Sequence, residues 1–240
     1  MKIIAAIPAR YDARRFPGKL LADLCGKTVI QHTYEKVRQS GLFDRVIIVT
    51  DSDEIASVVK GFGGNVIRSQ KEHDCGSDRI AEAVLDLEAD IVINVQGDEP
   101  FIRPEGLSSL IEIFKSDQNK DIDLASLMIP ITEEINNPNV VKVITDMSNR
   151  ALYFSRSAIP HQFNQENHAT VYKHVGVYAF RKNALIDFYQ HDVTPLEEAE
   201  KIEAIRYLEM GKTIQMVETQ FEGMGIDTVE DLERAKKLMT

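Results

Sequence analysis

The sequence predicts an α/β fold: a mostly parallel sheet with an antiparallel β lobe inserted in its second half. Two observations carry that expectation. Short runs rich in Ile and Val alternate with helix-period segments through the first part of the chain, the pattern of buried parallel strands joined by crossover helices. The second half is less regular, and its strand-like runs have more antiparallel character.

In chain order, KIIAAI (2–7), RVIIVT (45–50), GNVIRS (64–69) and DIVINV (90–95) read as buried strands. Between the first two, TVIQHTYEKVRQSG places Ile30, Tyr34 and Val37 on one helical face and stops at Gly41. SDEIASVVKGFGG and RIAEAVLDLEA supply the next two helices. Ligands of such sheets bind at the carboxyl ends of the strands. The loops after Ile7, Thr50, Ser69 and Val95 are therefore expected on the functional edge. Further on, LASLMIPI, VVKVIT, ALYFSR and YKHVGVYAFR read as strands, and EEAEKIEAIRYLEMG and VEDLERAKKLM as helices. With no internal repeat, low-complexity segment or long linker, one compact domain over 1–240 is expected.

Composition narrows the function. The 240 residues are 43% hydrophobic and 28% charged, the balance of a soluble globular protein. Asp and Glu number 38 against 28 Lys and Arg, for a formal charge of -10. A chain so acidic lacks the broad cationic surface of a non-specific nucleic-acid binder, and no nucleic-acid partner is expected. An anionic substrate would need local positive charge or a metal. Cys25 and Cys75 have no zinc-like spacing and predict no disulfide framework. The apolar start, Ile3–Pro8, is too short for a signal-peptide core or membrane span, and no other run approaches roughly 18 apolar residues. A cytoplasmic protein without a membrane partner is expected.

Against that acidic background, IPARYDARRFPGK (7–19) gathers Arg10, Arg14, Arg15 and Lys19 directly after the first strand. Arg and Lys are the side chains that pair with phosphate, and loop N–H groups can cradle phosphate oxygens. It is no Walker loop, because Leu20 follows Lys19 where a Mg²⁺-binding hydroxyl would stand. A polyphosphate site fits the loop as a whole, although any one of its cations could be merely solvated. VQGDEP (95–100) closes the fourth strand with Asp98 and Glu99, which suit Mg²⁺ or an ordinary turn.

In HDCGSDR (73–79), Ser77 or Asp78 can cap the following helix and Arg79 can sit on its solvated face, or the segment can contact a nucleotide. In GMGIDTVED (223–231), Asp227 stands at a helix start with Glu230 three residues on, a capping pattern. Capping leaves Gly223 and Gly225 unexplained, and they suggest close approach of the backbone to something else. A metal carboxylate at Asp227 would complement Asp98. In YKHVGVYAFR (172–181), His174, Gly176 and Tyr178 share one strand face, suited to a pocket wall, while Val175, Val177 and Ala179 share the core face. The histidine is as readily structural.

Together these motifs resemble the 3-deoxy-manno-octulosonate (Kdo) cytidylyltransferase family, in order and over nearly the whole chain. IPARY…R-x-PGK, HDCGSDR, NVQGDEP, ALYFSR-x-x-IP, YKHVGVYAFR, PLE…IEAIR and G-x-GIDT-x-EDLE carry the resemblance. It implies a Rossmann-like nucleotidyltransferase sheet. The nucleotide-binding half would cover about 1–120 and a sugar-binding and dimer lobe about 121–220, in a homodimer. The implied reaction transfers CMP from CTP to Kdo and releases pyrophosphate, for lipopolysaccharide biosynthesis. By position, Ala9, Arg10, Arg15, Lys19, Ser77 and Arg79 would bind the nucleotide. Asp98 and Asp227 would hold Mg²⁺ and form the catalytic set with Lys19. Gln96, Arg156, His174, Tyr178 and Glu203 would line the sugar-acid site.

The chain departs from the family at three places. Ala13-Arg14 replaces a Ser-Thr pair in the first loop, Cys75 replaces a serine, and Ala204 replaces the glutamine after Glu203. The last change removes a polar contact and is expected to enlarge the sugar pocket, which could alter the acid accepted, an amino-substituted Kdo for instance. A cytidylyltransferase for a nonulosonic acid shares a similar first loop but fits the second half poorly. A non-catalytic nucleotide-binding module is opposed by intact Lys19, Asp98 and Asp227.

Overall fold

The computed structural model describes residues 1–12, 15–71, 73, 75–163, 169–220 and 223–239. Arg14, one of the four loop cations, lies outside them, as do Ala13 and Asp74. The chain forms two compact units, Met1–Leu107 with Gly223–Thr240, and Ser108–Glu222. The α/β class and the antiparallel insertion are both present.

In the first unit, β1 (Ile3–Ala9) runs parallel to β4 (Arg45–Thr50) on one side and to β6 (Ile91–Asn94) on the other, and β5 (Val66–Arg68) pairs with β4. β1 is almost wholly buried, which is why its residues are continuously apolar instead of alternating. It extends two residues beyond the expected KIIAAI run. The order β6-β1-β4-β5 reverses direction at β1, so the loops leaving β1 and β6 flank a topological switch point, where α/β sheets bind ligands.

The connecting helices are α1 (Val29–Gln39), α2 (Asp53–Gly61) and α3 (Gly76–Val84). Thr28 caps α1 and Ser52 caps α2, accepting from the N–H groups of Gln31 and Ile55 at 3.3 and 3.1 Å. At α3 the cap is Cys75, whose Sγ accepts from the Asp78 N–H at 3.5 Å. That corrects the expectation of a cap at Ser77 or Asp78, both of which lie inside the helix. A short hairpin, β2 (Asp23–Leu24) with β3 (Lys27–Thr28), precedes α1, and α8 (Val229–Met239) closes the unit.

The division between units falls within α4 (Pro104–Ser116). In the second unit, β7 (Leu124–Ile131) lies between β10 (Val171–Arg181), antiparallel to it, and β11 (Ile214–Glu218), parallel to it. β8 (Lys142–Thr145) joins β10, and β9 (Ala151–Ser155) pairs with β8, both antiparallel. The helices here are α5 (Lys182–Gln190), α6 (Pro195–Glu200) and α7 (Glu203–Glu209). The single helix expected over EEAEKIEAIRYLEMG is thus two, because Lys201 adopts φ 53 and ends α6. Its core includes a buried Arg206–Glu197 pair, with two guanidinium–carboxylate contacts of 2.6 and 2.8 Å and the guanidinium 3.8 Å above the Phe188 ring. Among the described residues no helix is long and apolar enough to cross a membrane.

Candidate active site

At the carboxyl edge of the first unit, three charged side chains that are far apart in sequence meet. Lys19 donates from Nζ to Asp98 and, at 2.9 Å, to Asp227 Oδ1. Arg15 Nη2 lies 2.8 Å from Asp227 Oδ2. Burial is the largest influence on Lys19 and acts to lower its pKa. The charges and hydrogen bonds of Asp98 and then Asp227 outweigh it, so the ammonium is held above the ordinary lysine value.

Local sequence explains the convergence. Gly18, at φ 70, turns the chain after Pro17, and its N–H donates to Tyr11 O at 3.0 Å, closing the loop before Lys19. Gly97 lets the loop after β6 press on β1, since a Cβ there would sit 3.1 Å from Pro8 O and from Ile30 Cδ1. Ile226 N–H donates to Asp98 O at 2.9 Å, which lays the Gly223–Asp227 segment beside Asp98. Gly223 is the close approach expected from its motif: a Cβ would fall 2.7 Å from Glu99 Oε2. Gly225 has nothing within 4 Å of such an atom.

Asp227 does not cap α8. Thr228 does: its Oγ1 accepts from the Asp231 N–H at 3.2 Å, and Asp231 Oδ2 accepts from the Thr228 N–H at 3.1 Å, a reciprocal capping box with Asp in the third position. Glu230 is not the reciprocal partner. Asp227's carboxylate faces the cations instead. Thr228→Ala should therefore cost about 1 kcal/mol of stability with turnover nearly unchanged, as read from urea unfolding and a rate assay on one preparation.

The other nucleotide-side candidates occupy the same edge. Ala9 ends β1 and is buried, and Arg10 beyond it is exposed. Ser77 is buried in the first turn of α3. Arg79 corrects the solvated-face reading, because it is buried and donates to Asp51 Oδ2 at 2.7 Å. Gln96, a candidate for the sugar-acid site, is half-buried in the turn after β6, where its carbonyl accepts from the Glu99 N–H at 3.2 Å.

Arg156, His174, Tyr178 and Glu203 belong to the second unit. His174 and Tyr178 share a face even though β10 is irregular between Val175 and Tyr178. Their partners on β7 are Met128 and Ser126, so two extra residues on β10 preserve the alternation. The two rings lie 5.2 Å apart. Both side chains are buried, while Gly176, between them on that face, is half-buried.

Ser126 Oγ lies 2.8 and 3.1 Å from the Val177 and Val175 carbonyls and 2.9 Å from His174 Nε2. A hydroxyl has one proton, which a carbonyl takes, so Nε2–H of a neutral His174 is the donor to Ser126. Arg156 spends three N–H groups on backbone carbonyls, those of Glu200, Pro138 and Lys201, at 2.7, 2.9 and 3.2 Å. Glu203 is half-buried at the start of α7. Ala204 is fully buried.

Residues 4–214 match the family described as Cytidylyltransferase. A 3-deoxy-manno-octulosonate cytidylyltransferase of Christiangramia forsetii is 56% identical over 241 residues, covering 100% of this chain and 97% of its own. The chain belongs to the 3-deoxy-manno-octulosonate cytidylyltransferase family. A second family member, from Flavobacterium johnsoniae, is also 56% identical, covering 100% of this chain and 99% of its own. A solved CMP:2-keto-3-deoxy-manno-octonic acid synthetase complexed with CTP superposes with a TM-score of 0.94 at 38% identity, over 100% of this chain and 98% of that one. A 4-diphosphocytidyl-2C-methyl-D-erythritol synthase from Anaerococcus prevotii, 18% identical with a TM-score of 0.66 over 99% of this chain and 98% of its own, shares the fold alone.

In this member of the cytidylyltransferase family, burial pushes the His174 pKa from 6.5 down to about 4. A base depressed in the folded state contributes stability that is fully present above its unfolded value and is lost as pH falls from 6.5 toward about 4. That window is worth up to about 3 kcal/mol. Unfolding free energies measured across it should fall with acidity, and His174→Gln, which cannot take up a proton there, should flatten the slope. Two residues that motif reading overlooked are Thr228, masked by its acidic neighbour, and Asp51, which no motif singles out.

Proposed function

We propose that the chain transfers CMP from CTP to the anomeric hydroxyl of Kdo, giving CMP-Kdo and pyrophosphate. The observation that carries this reading is the meeting of Lys19, Asp98, Asp227 and Arg15 at the switch point of the sheet, in a chain of this family. The sugar oxygen bonds to the α-phosphorus, the bond from that phosphorus to the β-bridging oxygen breaks, and pyrophosphate leaves with the electron pair. The hydroxyl proton passes to solvent. Such chemistry is mostly positioning and charge neutralisation. Lys19, kept charged, and Arg15 and Arg10 on the same loop supply cations for the triphosphate and for the charge growing on the leaving group.

The donor set suits Mg²⁺, which takes oxygen ligands and is typically held by one or two carboxylates plus substrate phosphates. Asp98 and Asp227 face one ammonium. Among the described residues no group of three or more His, Cys, Asp or Glu could hold a metal. Two carboxylates would leave the rest of the ion's coordination to substrate oxygens and water. Bound there, Mg²⁺ would neutralise phosphate charge and polarise the phosphoryl centre.

Pyrophosphate release with CTP and Mg²⁺ tests the reading, comparing Kdo, its 8-amino analogue and a nonulosonic acid. Release with Kdo, abolished by EDTA and restored by Mg²⁺, is the expected result. Turnover of a nonulosonate but not Kdo would sink the sugar assignment and leave the CTP assignment standing.

A further inference from the structure

Asp51 lies immediately beyond β4, on the edge that carries the first loop. β1 and β4 are in register with Ala9 opposite Thr50, so Arg10 and Asp51 are the next residues on neighbouring strands. α3 begins on the same edge: a Cβ at Gly76 would lie 3.3 Å from the Pro8 ring. Three segments thus converge, and Asp51 is anchored among them through its backbone and one carboxylate oxygen. Its carbonyl accepts from Arg68 Nη2 at 2.6 Å, the next residue caps α2 through an Oγ contact of 3.1 Å, and its Oδ2 accepts from Arg79 at 2.7 Å.

The exposures of that pair decide its reading. The Arg79 side chain is 5% exposed and the Asp51 side chain 36%. Arg79 Nη1 is buried with no hydrogen-bond partner among the described residues, while Nη2 donates to Asp51. A carboxylate offers about four lone-pair sites, and the contact with Arg79 occupies Oδ2 alone. Burial acts to raise the Asp51 pKa, and the hydrogen bond and charge of Arg79 more than reverse it, holding the group below the usual carboxylate range. Asp51 is therefore a pre-oriented, ionised acceptor on the nucleotide edge, and Arg79 is the residue that orients it.

We infer that Asp51 accepts a hydrogen bond from the cytidine moiety of CTP, and that Arg79 acts through it as a positioning residue. This rests on the CTP half of the proposed function and not on the identity of the sugar acid. Two groups of cytidine offer the required donor. The 4-amino group of the base is one, and uracil carries an acceptor oxygen in its place. The ribose hydroxyls are the other. A site built around such a donor disfavours the analogue that lacks it, because the pre-oriented acceptor then loses its ligand hydrogen bond.

The test is calorimetric binding of CTP, UTP and 2′-deoxyCTP to the parent protein, Asp51→Asn and Asp51→Glu, with turnover measured alongside. Asp51→Asn turns an acceptor toward a donor and should weaken CTP binding at least about 10-fold, raising KM far more than it lowers kcat. If the base is the donor, the CTP preference over UTP should collapse; if the ribose, the CTP preference over 2′-deoxyCTP should. Asp51→Glu keeps the charge for Arg79 and should stay folded, by thermal melt, while still losing CTP affinity. CTP affinity and both preferences unchanged in folded Asp51→Glu and Asp51→Asn would overturn the inference. Parental CTP binding without turnover of any acid would overturn only the sugar assignment.

Discussion

Asp98→Asn is expected to cut turnover by more than about 10²-fold while leaving the protein folded. The carboxylate shares the neutralisation of Lys19 with Asp227 and would be offered to a divalent cation, and an amide removes that charge with little change of shape. The architecture around it depends on the backbone, since Ile226 donates to the Asp98 carbonyl and not to its side chain. The Gly223–Asp227 segment should keep its place, and the melting curve should move by only a few degrees. Steady-state rates and a thermal melt on the same sample check both halves. Near-normal turnover in a folded Asp98→Asn protein would place the metal elsewhere.

Lys19→Ala is expected to lower kcat/KM for CTP by about 10²-fold or more, with much of the loss in KM. Its ammonium is the shared counter-charge of Asp98 and Asp227, so removing it leaves the two carboxylates, among the described residues, with the Arg15 contact on the Asp227 side. Like charges left close together repel. The variant should therefore melt lower than the parent in the absence of ligands, and Mg²⁺ should recover part of the difference. A pure fall in kcat at unchanged KM would instead assign Lys19 to the transition state alone.

The first unit was legible because buried parallel strands must be apolar and β-branched, and RVIIVT and DIVINV meet that demand unaided. The charged loops were legible by their position after those strands. What sequence could not resolve were choices between neighbours. Cys75 caps α3 ahead of Ser77 and Asp78, and Thr228 caps α8 instead of Asp227; an offset of one to three residues in where helical dihedrals begin decides each case.

The break between α6 and α7 was hidden for another reason. Lys201 takes a positive φ without being glycine, so the run carries no punctuation. The helices α4 and α5 and the strand β11 were missed among less regular signals. Asp51 has no signal at all in its own segment. Its meaning comes from Arg79, 28 residues away, and only the folded chain brings them together. His174 shows the same limit, since periodicity gave the shared face with Tyr178 but not how deeply both rings would be buried.

The offset at the start of α8 has an evolutionary consequence. Because Thr228 holds the helix and Asp227 holds the cations, stability and chemistry are encoded in adjacent but separate codons. A lineage could vary position 227, and with it the charge offered to substrate, without unravelling the terminal helix. Had one aspartate served both purposes, every such trial would also have been a folding defect.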